Sequence, residues 1–211
     1  MTTEHVKAVA ISESSRRVIV AMINEAAANA SRSLQRLTNN QVEVGVTRLE
    51  VGDIDRVLPE LEAEAMVAGV CLQITGDIRG WALLIFPVEL ANEMCDRLLK
   101  REVGTTSRLS ELDKSALKEV GNILCGSFLT GLSNRLKIKI VESPPEFCLD
   151  MFGAVVDGVL GQVARHAESA LGIQVAFEFK ESVVAGQFIL FFGVDEMIAV
   201  VKTLEEVAEA E

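Results

Sequence analysis

Positive charge is in short supply in this chain. Its 211 residues hold 20 Lys and Arg against 31 Asp and Glu, a formal charge of -11, and no basic block stands anywhere along it. Neutralising the phosphates of DNA or RNA needs concentrated Lys and Arg, so a nucleic-acid partner is excluded. Long apolar runs are missing as well. Stretches such as Trp81–Phe86 and Phe188–Phe192 fall far short of the ~20 residues that cross a bilayer. The start, MTTEHVKAVAISESSRR, has no basic segment leading into an apolar one, so no secretory signal is read and a cytoplasmic protein without membrane insertion is expected. The four cysteines, Cys71, Cys95, Cys125 and Cys148, are widely separated, without a C-x-x-C and without a neighbouring histidine. They read as structural thiols, and no metal site is expected. His5 and His166 stand alone, and no spacing supports a His–Cys or His–Ser catalytic pair.

Apolar residues, by contrast, make up 49% of the chain, which excludes intrinsic disorder and is enough for a sizeable core. Their spacing follows one long pattern twice. Residues 12–38 have helical periodicity, 42–46 alternate, 57–68 read as a short helix or loop, 69–74 and 81–86 as strands about the turn Gly76–Gly80, and 87–100 as a helix. The second half offers a helix at 111–132, an alternating segment at 136–141, a helix at about 150–171 after Pro144-Pro145, strands at 172–179 and 187–192, and a last helix from Gly193. Arg101–Leu109 is the polar joint. The expected fold class is α/β (α+β): a pseudo-twofold duplicated domain with two long helices over a mostly antiparallel sheet of about six strands. One domain, 1–211, is built of a first repeat, 12–100, and a second, 110–205.

The helix that opens the second repeat carries the polar chemistry. Ser110-Glu-Leu-Asp113 has the form of a capping box. At about 100° per residue, Ser115, Glu119 and Asn122 fall within roughly 60° of each other, while Ala116, Leu117, Val120, Ile123, Leu124 and Phe128 occupy a separate broad arc. Gly126, a turn further on, leaves a shallow surface that another protein's backbone could approach. The full pattern, Ser115-x-x-x-Glu119-x-x-Asn122, then 22 residues, then Pro145, resembles the CheC family of chemotaxis phosphatases, whose relatives include CheX and FliY. Those proteins carry [Asp/Ser]-x-x-x-Glu-x-x-Asn-x22-Pro, and the likeness extends over roughly residues 15–205. The first repeat departs from the family. Ala21 and Asn24 stand where Glu-x-x-Asn would, Thr47 stands where the proline would, and Glu25 with Asn29 is a shifted, weaker pair. The chain thus looks like a one-site member with a degenerate first site.

The resemblance implies an enzyme, a hydrolase of two-component signalling that removes the aspartyl phosphate of a CheY-type response regulator. It implies a phosphorylated receiver as partner, with CheD as a second. An acyl phosphate is reactive already, and the receiver brings its own Mg²⁺ and lysine, so the helper chiefly places a water in line and binds no cofactor itself. Asn122 suits that task, since its carboxamide both accepts and donates without ionising. Glu119 would meet the receiver's lysine. Ser115 would extend the contact, and Pro145 would shape a loop, proline having no chemistry of its own. Two other readings stay open. One is a non-enzymatic adaptor that binds a phospho-receiver or CheD, with residues 150–164 as its docking helix or simply packed on the sheet. The other, a flagellar-switch component like FliY, is disfavoured because no switch-binding domain follows residue 205. Retention of Glu119, Asn122 and Pro145 favours the enzyme.

Overall fold

The computed structural model describes residues 13–39, 41–58, 60–163, 169–193, 196, 198–200, 202–203 and 206. Along the chain run α1 (Glu13–Thr38), β1 (Val42–Asp53), α2 (Ile54–Val57), β2 (Met66–Gly76), β3 (Gly80–Pro87), α3 (Val88–Leu98), α4 (Glu111–Leu136), β4 (Ile140–Glu142), β5 (Glu146–Met151), α5 (Phe152–Val163), β6 (Ser169–Phe179) and β7 (Ser182–Phe192). The described residues between 196 and 206 are helical, as expected for a last helix after Gly193.

All strands join one antiparallel sheet in the order β1-β6-β7-β3-β2-β4, with β5 also pairing with β2. The hairpins β2–β3 and β6–β7 meet at its centre through β3 and β7. Each hairpin is flanked by the strand that follows a long helix of the other half: β1 pairs with β6, and β4 and β5 pair with β2.

Both faces of the sheet are covered, which is why its central strands are continuously apolar rather than alternating. In β3, Ala82, Leu84 and Phe86 point into a core shared with α1, α3 and α4, whereas Leu83 and Ile85 point into a second core against α2 and α5. The long helices earn their length by packing. α1 buries Val18, Met22, Ala26, Ala30 and Leu34, and α4 buries Leu117, Val120, Leu124, Phe128, Leu132 and Leu136, all at helical spacing. Gly121 brings α4 down onto β2: a Cβ there would lie 2.5 Å from Val70 Cγ1.

Several boundaries differ from expectation: β1 runs on to Asp53, and β6 and β7 begin earlier, at Ser169 and Ser182. α4 runs to Leu136, because Leu132 and Leu136 continue its buried stripe, and it stops at Lys137, which adopts the left-handed conformation with its N–H bonded to the Ser133 carbonyl. That leaves only three residues of the alternating 136–141 segment and its neighbour, Ile140–Glu142, for β4. Next comes a strand that was not expected. β5 pairs Met66–Cys71 with Glu146–Met151, so the helix expected from 150 begins at Phe152, and its far end gives way to β6 from Ser169. β4 and β5 lie along the same edge of β2 and are separate because Pro144 and Pro145 have no N–H for the ladder. Ser143 bridges the break, its N–H bonding to the Gln73 carbonyl and its Oγ accepting from the Gln73 N–H, both at 2.9 Å. Finally, Met66–Ala68 belongs to β2 and not to a helix or loop, and with β5 added to the six expected strands the sheet has seven.

Candidate functional site on helix α4

The N-terminus of α4 is held by a network of buried charge. Ser110 caps the helix, its hydroxyl accepting from the Asp113 N–H while the Asp113 carboxylate accepts from the Ser110 N–H at 2.7 Å. Asp113 is 1% exposed and also pairs with Arg101 at 2.7 Å. Burial alone would raise the Asp113 carboxyl, but the Ser110 bonds and the Arg101 guanidinium outweigh it and hold it below the usual carboxylate range. Asp96, at the end of α3, is fully buried and organises the joint in the same way. Burial is overcome there by the Thr106 hydroxyl and by the N–H groups of Thr106 and Gly104.

On this anchored helix Ser115 is exposed, and Glu119 and Asn122 are half-buried, on the side away from the core residues Leu117, Val120 and Leu124. The structure therefore places all three on the outward face that the register predicts. A concave surface of about 670 Å³ adjoins Ser115 and Glu119, walled by the last turns of α1 and α3 and by Leu112. Leu37 and Leu112 stand at this groove, 56% and 59% exposed.

Gly126 does not have the role expected of it. Glu142, from β4, lies over it: a Cβ on Gly126 would meet Glu142 Oε1 at 3.0 Å. The shallow surface is thus occupied by a carboxylate from the same chain, beside a hollow of about 150 Å³ lined by Leu129, Thr130, Ser133 and Ile140. Burial raises the Glu142 carboxyl, against a hydrogen bond from the Cys125 thiol. Nothing in the local sequence signals this carboxylate. It reaches the helix face only because β4 pairs with β2 alongside α4.

Pro145 stands in the break between β4 and β5, a structural position. In the first half, Ala21 and Asn24 are both exposed on α1, as is Glu25, and Asn29 accepts a hydrogen bond from Arg32. Thr47, which follows Asn24 at the same distance as Pro145 follows Asn122, is the extra residue of a β-bulge between Val46 and Arg48. The supposed docking helix, 150–164, is represented by α5, whose Phe152, Val155, Val156 and Val159 are buried on the sheet, leaving Ala154, Asp157, Gly158 and Gly161 outward. Ala164, His5 and His166 lie outside the described residues. Among the described residues no cluster of three or more His, Cys, Asp or Glu side chains could hold a metal ion, and no helix is long and apolar enough to cross a membrane.

Residues 112–149, which include Ser115, Glu119, Asn122 and Pro145, match the CheC-like family. The chain is 33% identical over 150 residues to the CheY-P phosphatase CheC of Bacillus subtilis, covering 68% of this chain and 72% of that protein. Its fold is similar to that of Thermotoga maritima FliY, with a TM-score of 0.73, 20% identity, and coverage of 96% of this chain and 99% of the other. It is also similar to a chain of the CheX–CheY–BeF3–Mg²⁺ complex from Borrelia burgdorferi, with a TM-score of 0.51, 18% identity, and coverage of 83% of this chain and 97% of that one. With the motif on an outward helix face, the fold in common and a third of the aligned residues identical, the chain belongs to the CheC family.

Proposed function

We propose that this protein hydrolyses the aspartyl phosphate of a CheY-type response regulator by presenting one face of α4 to the receiver's active site. The observation that carries this reading is the Glu119–Asn122 pair: a carboxylate and a carboxamide three residues apart, outward on a helix whose opposite side is fixed in the core. A relative named as a CheY-P phosphatase and a fold neighbour solved together with CheY support the choice of substrate.

In this mechanism the receiver supplies the reactive acyl phosphate, its Mg²⁺ and its lysine, so this chain needs no cofactor of its own. Asn122 accepts a hydrogen bond from the attacking water and orients it in line with the phosphorus. Glu119 cannot approach the phosphoryl oxygens without repulsion, and it pairs instead with the receiver's lysine, setting the depth at which α4 inserts. Ser115 lengthens the contact along the same face. The groove next to Ser115, with Leu37 and Leu112, gives the receiver an apolar surface beside this polar row. Pro145 acts at a distance, by ending β4.

The test is the decay of a phosphorylated CheY-type receiver, with Mg²⁺ present, with and without this protein. Decay accelerated by catalytic amounts is the expected result. Stoichiometric binding with decay at the receiver's own rate would replace this reading with that of an adaptor.

A further inference from the structure

The four cysteines are not alike. Cys95 and Cys125 are fully buried, and burial pushes both thiols up, Cys95 to about 12. Cys71 and Cys148 are only partly buried and lie together, although 76 residues separate them in the chain. The register of β2 with β5 sets Cys148 opposite Gly69 and Cys71 opposite Glu146, so the two cysteines are diagonal neighbours on the face that carries α5. Gly69 makes the approach possible. The Cys148 Sγ sits 2.7 Å from where a Cβ of residue 69 would stand and donates to the Gly69 carbonyl at 3.6 Å. The thiol thus leans across the strand gap, toward the strand that carries Cys71.

We infer that Cys71 and Cys148 are an oxidisable dithiol, a modification site that takes a small uncharged peroxide and closes to a disulfide joining β2 to β5. A hollow of about 200 Å³ is lined by both cysteines together with Trp81, Val155 and Val159, and carries Glu146 and Asp150. Its size suits a small oxidant, and its two carboxylates disfavour an anionic one. Both cysteines line the hollow, so either sulfur serves as the nucleophile and the other resolves it. The thiolate of one attacks one peroxide oxygen. An S–O bond forms, the O–O bond breaks, and the departing hydroxide takes a proton to become water. The other sulfur then displaces the sulfenic oxygen. An S–S bond forms, the S–O bond breaks, and a second water leaves with that thiol's proton. Two thiols lose two electrons, and one peroxide is reduced to two waters.

The experiment uses the reduced full-length chain, hydrogen peroxide, and peptide mapping after differential alkylation. The expected product is an intramolecular Cys71–Cys148 disulfide, with Cys95 and Cys125 still alkylated once the chain is unfolded. Cys71→Ser should stop at a Cys148 sulfenic acid that dimedone traps. Cys148→Ser should likewise stop at a Cys71 sulfenic acid, and neither variant should form an intramolecular disulfide. Equal reactivity of all four cysteines, a parent oxidised without the Cys71–Cys148 disulfide, or single variants with no dimedone adduct would each overturn the inference. The readout does not involve phosphatase activity, so its outcome is separate from that of the proposed function.

Discussion

Glu119 and Asn122 sit a turn apart on one helix and are given different tasks, and that division can be measured. A carboxylate that meets a lysine at a rim contributes to engagement and is screened by salt. Glu119→Ala is therefore expected to raise KM for the phospho-receiver with kcat nearly unchanged, and its deficit should shrink between low and high ionic strength. A fall in kcat at constant KM would assign Glu119 to the chemical step instead. Glu142 offers a second test at this scale. Its carboxyl is raised by burial over Gly126, so the folded state binds a proton more tightly than the unfolded one, and stability falls as pH rises through and above the ordinary carboxylate range. Glu142→Gln, which removes the buried charge, should raise the urea midpoint at pH 7 and should lose that advantage at pH 4. A variant less stable than the parent at pH 7 would mean that the carboxylate is compensated by a partner.

Among the elements, α4 matters most, because its anchoring decides where the two side chains point. Ser110→Ala removes the cap and is expected to cost about 1 kcal/mol. Arg101→Ala leaves Asp113 buried without its cation and should cost about 1.5–3 kcal/mol at pH 7. The Asp113 carboxyl lies below its ordinary value, so its contribution is complete above the unfolded pKa of about 4 and is lost as pH falls through the lower folded value. Urea titrations of the parent and Asp113→Asn at pH 7, 5, 4 and 3 should converge at the acid end, and a constant gap would contradict the assignment. Much of this helix was legible in the chain: the Ser110–Asp113 spacing signals the cap, and the apolar stripe and the polar row follow from a period of 3.6. Its end was not, because Leu136 fits the last helical turn and the alternation of 136–141 equally well, and only the core it meets decides between them. β5 was hidden for a related reason. As a strand with one paired edge and a mostly exposed surface, it has little hydrophobic alternation to show, and the two prolines before it read as a loop. Glu142 over Gly126, the Leu37–Leu112 groove and the Cys71–Cys148 contact are products of strand pairing and helix packing between distant segments, which no local pattern encodes.

Across the whole molecule, the order of long helix, edge strand and hairpin occurs twice, and the position after each long helix that could hold the motif proline is an irregularity in both halves: a bulge at Thr47 in β1 and the Pro144-Pro145 break between β4 and β5. In the spacing Glu-x-x-Asn, α4 has Glu119 before Asn122, whereas α1 has Ala21 three residues before Asn24. One phospho-receiver should therefore bind per chain. Restoring the acid with Ala21→Glu in a Glu119→Ala/Asn122→Ala background should recover partial activity at most, because Asn24 regains an acidic neighbour but β1 keeps its bulge. Recovery to the parent rate would show that the loss of one carboxylate alone silenced the first face. The central claim, that a carboxamide on α4 places the hydrolytic water, is tested most directly by single-turnover decay of a phosphorylated CheY-type receiver at saturating protein, comparing the parent with Asn122→Ala. Loss of a positioning group of this kind predicts a rate lower by on the order of 10²-fold while the complex still forms. Decay at the parent rate from the fully formed Asn122→Ala complex would contradict the account.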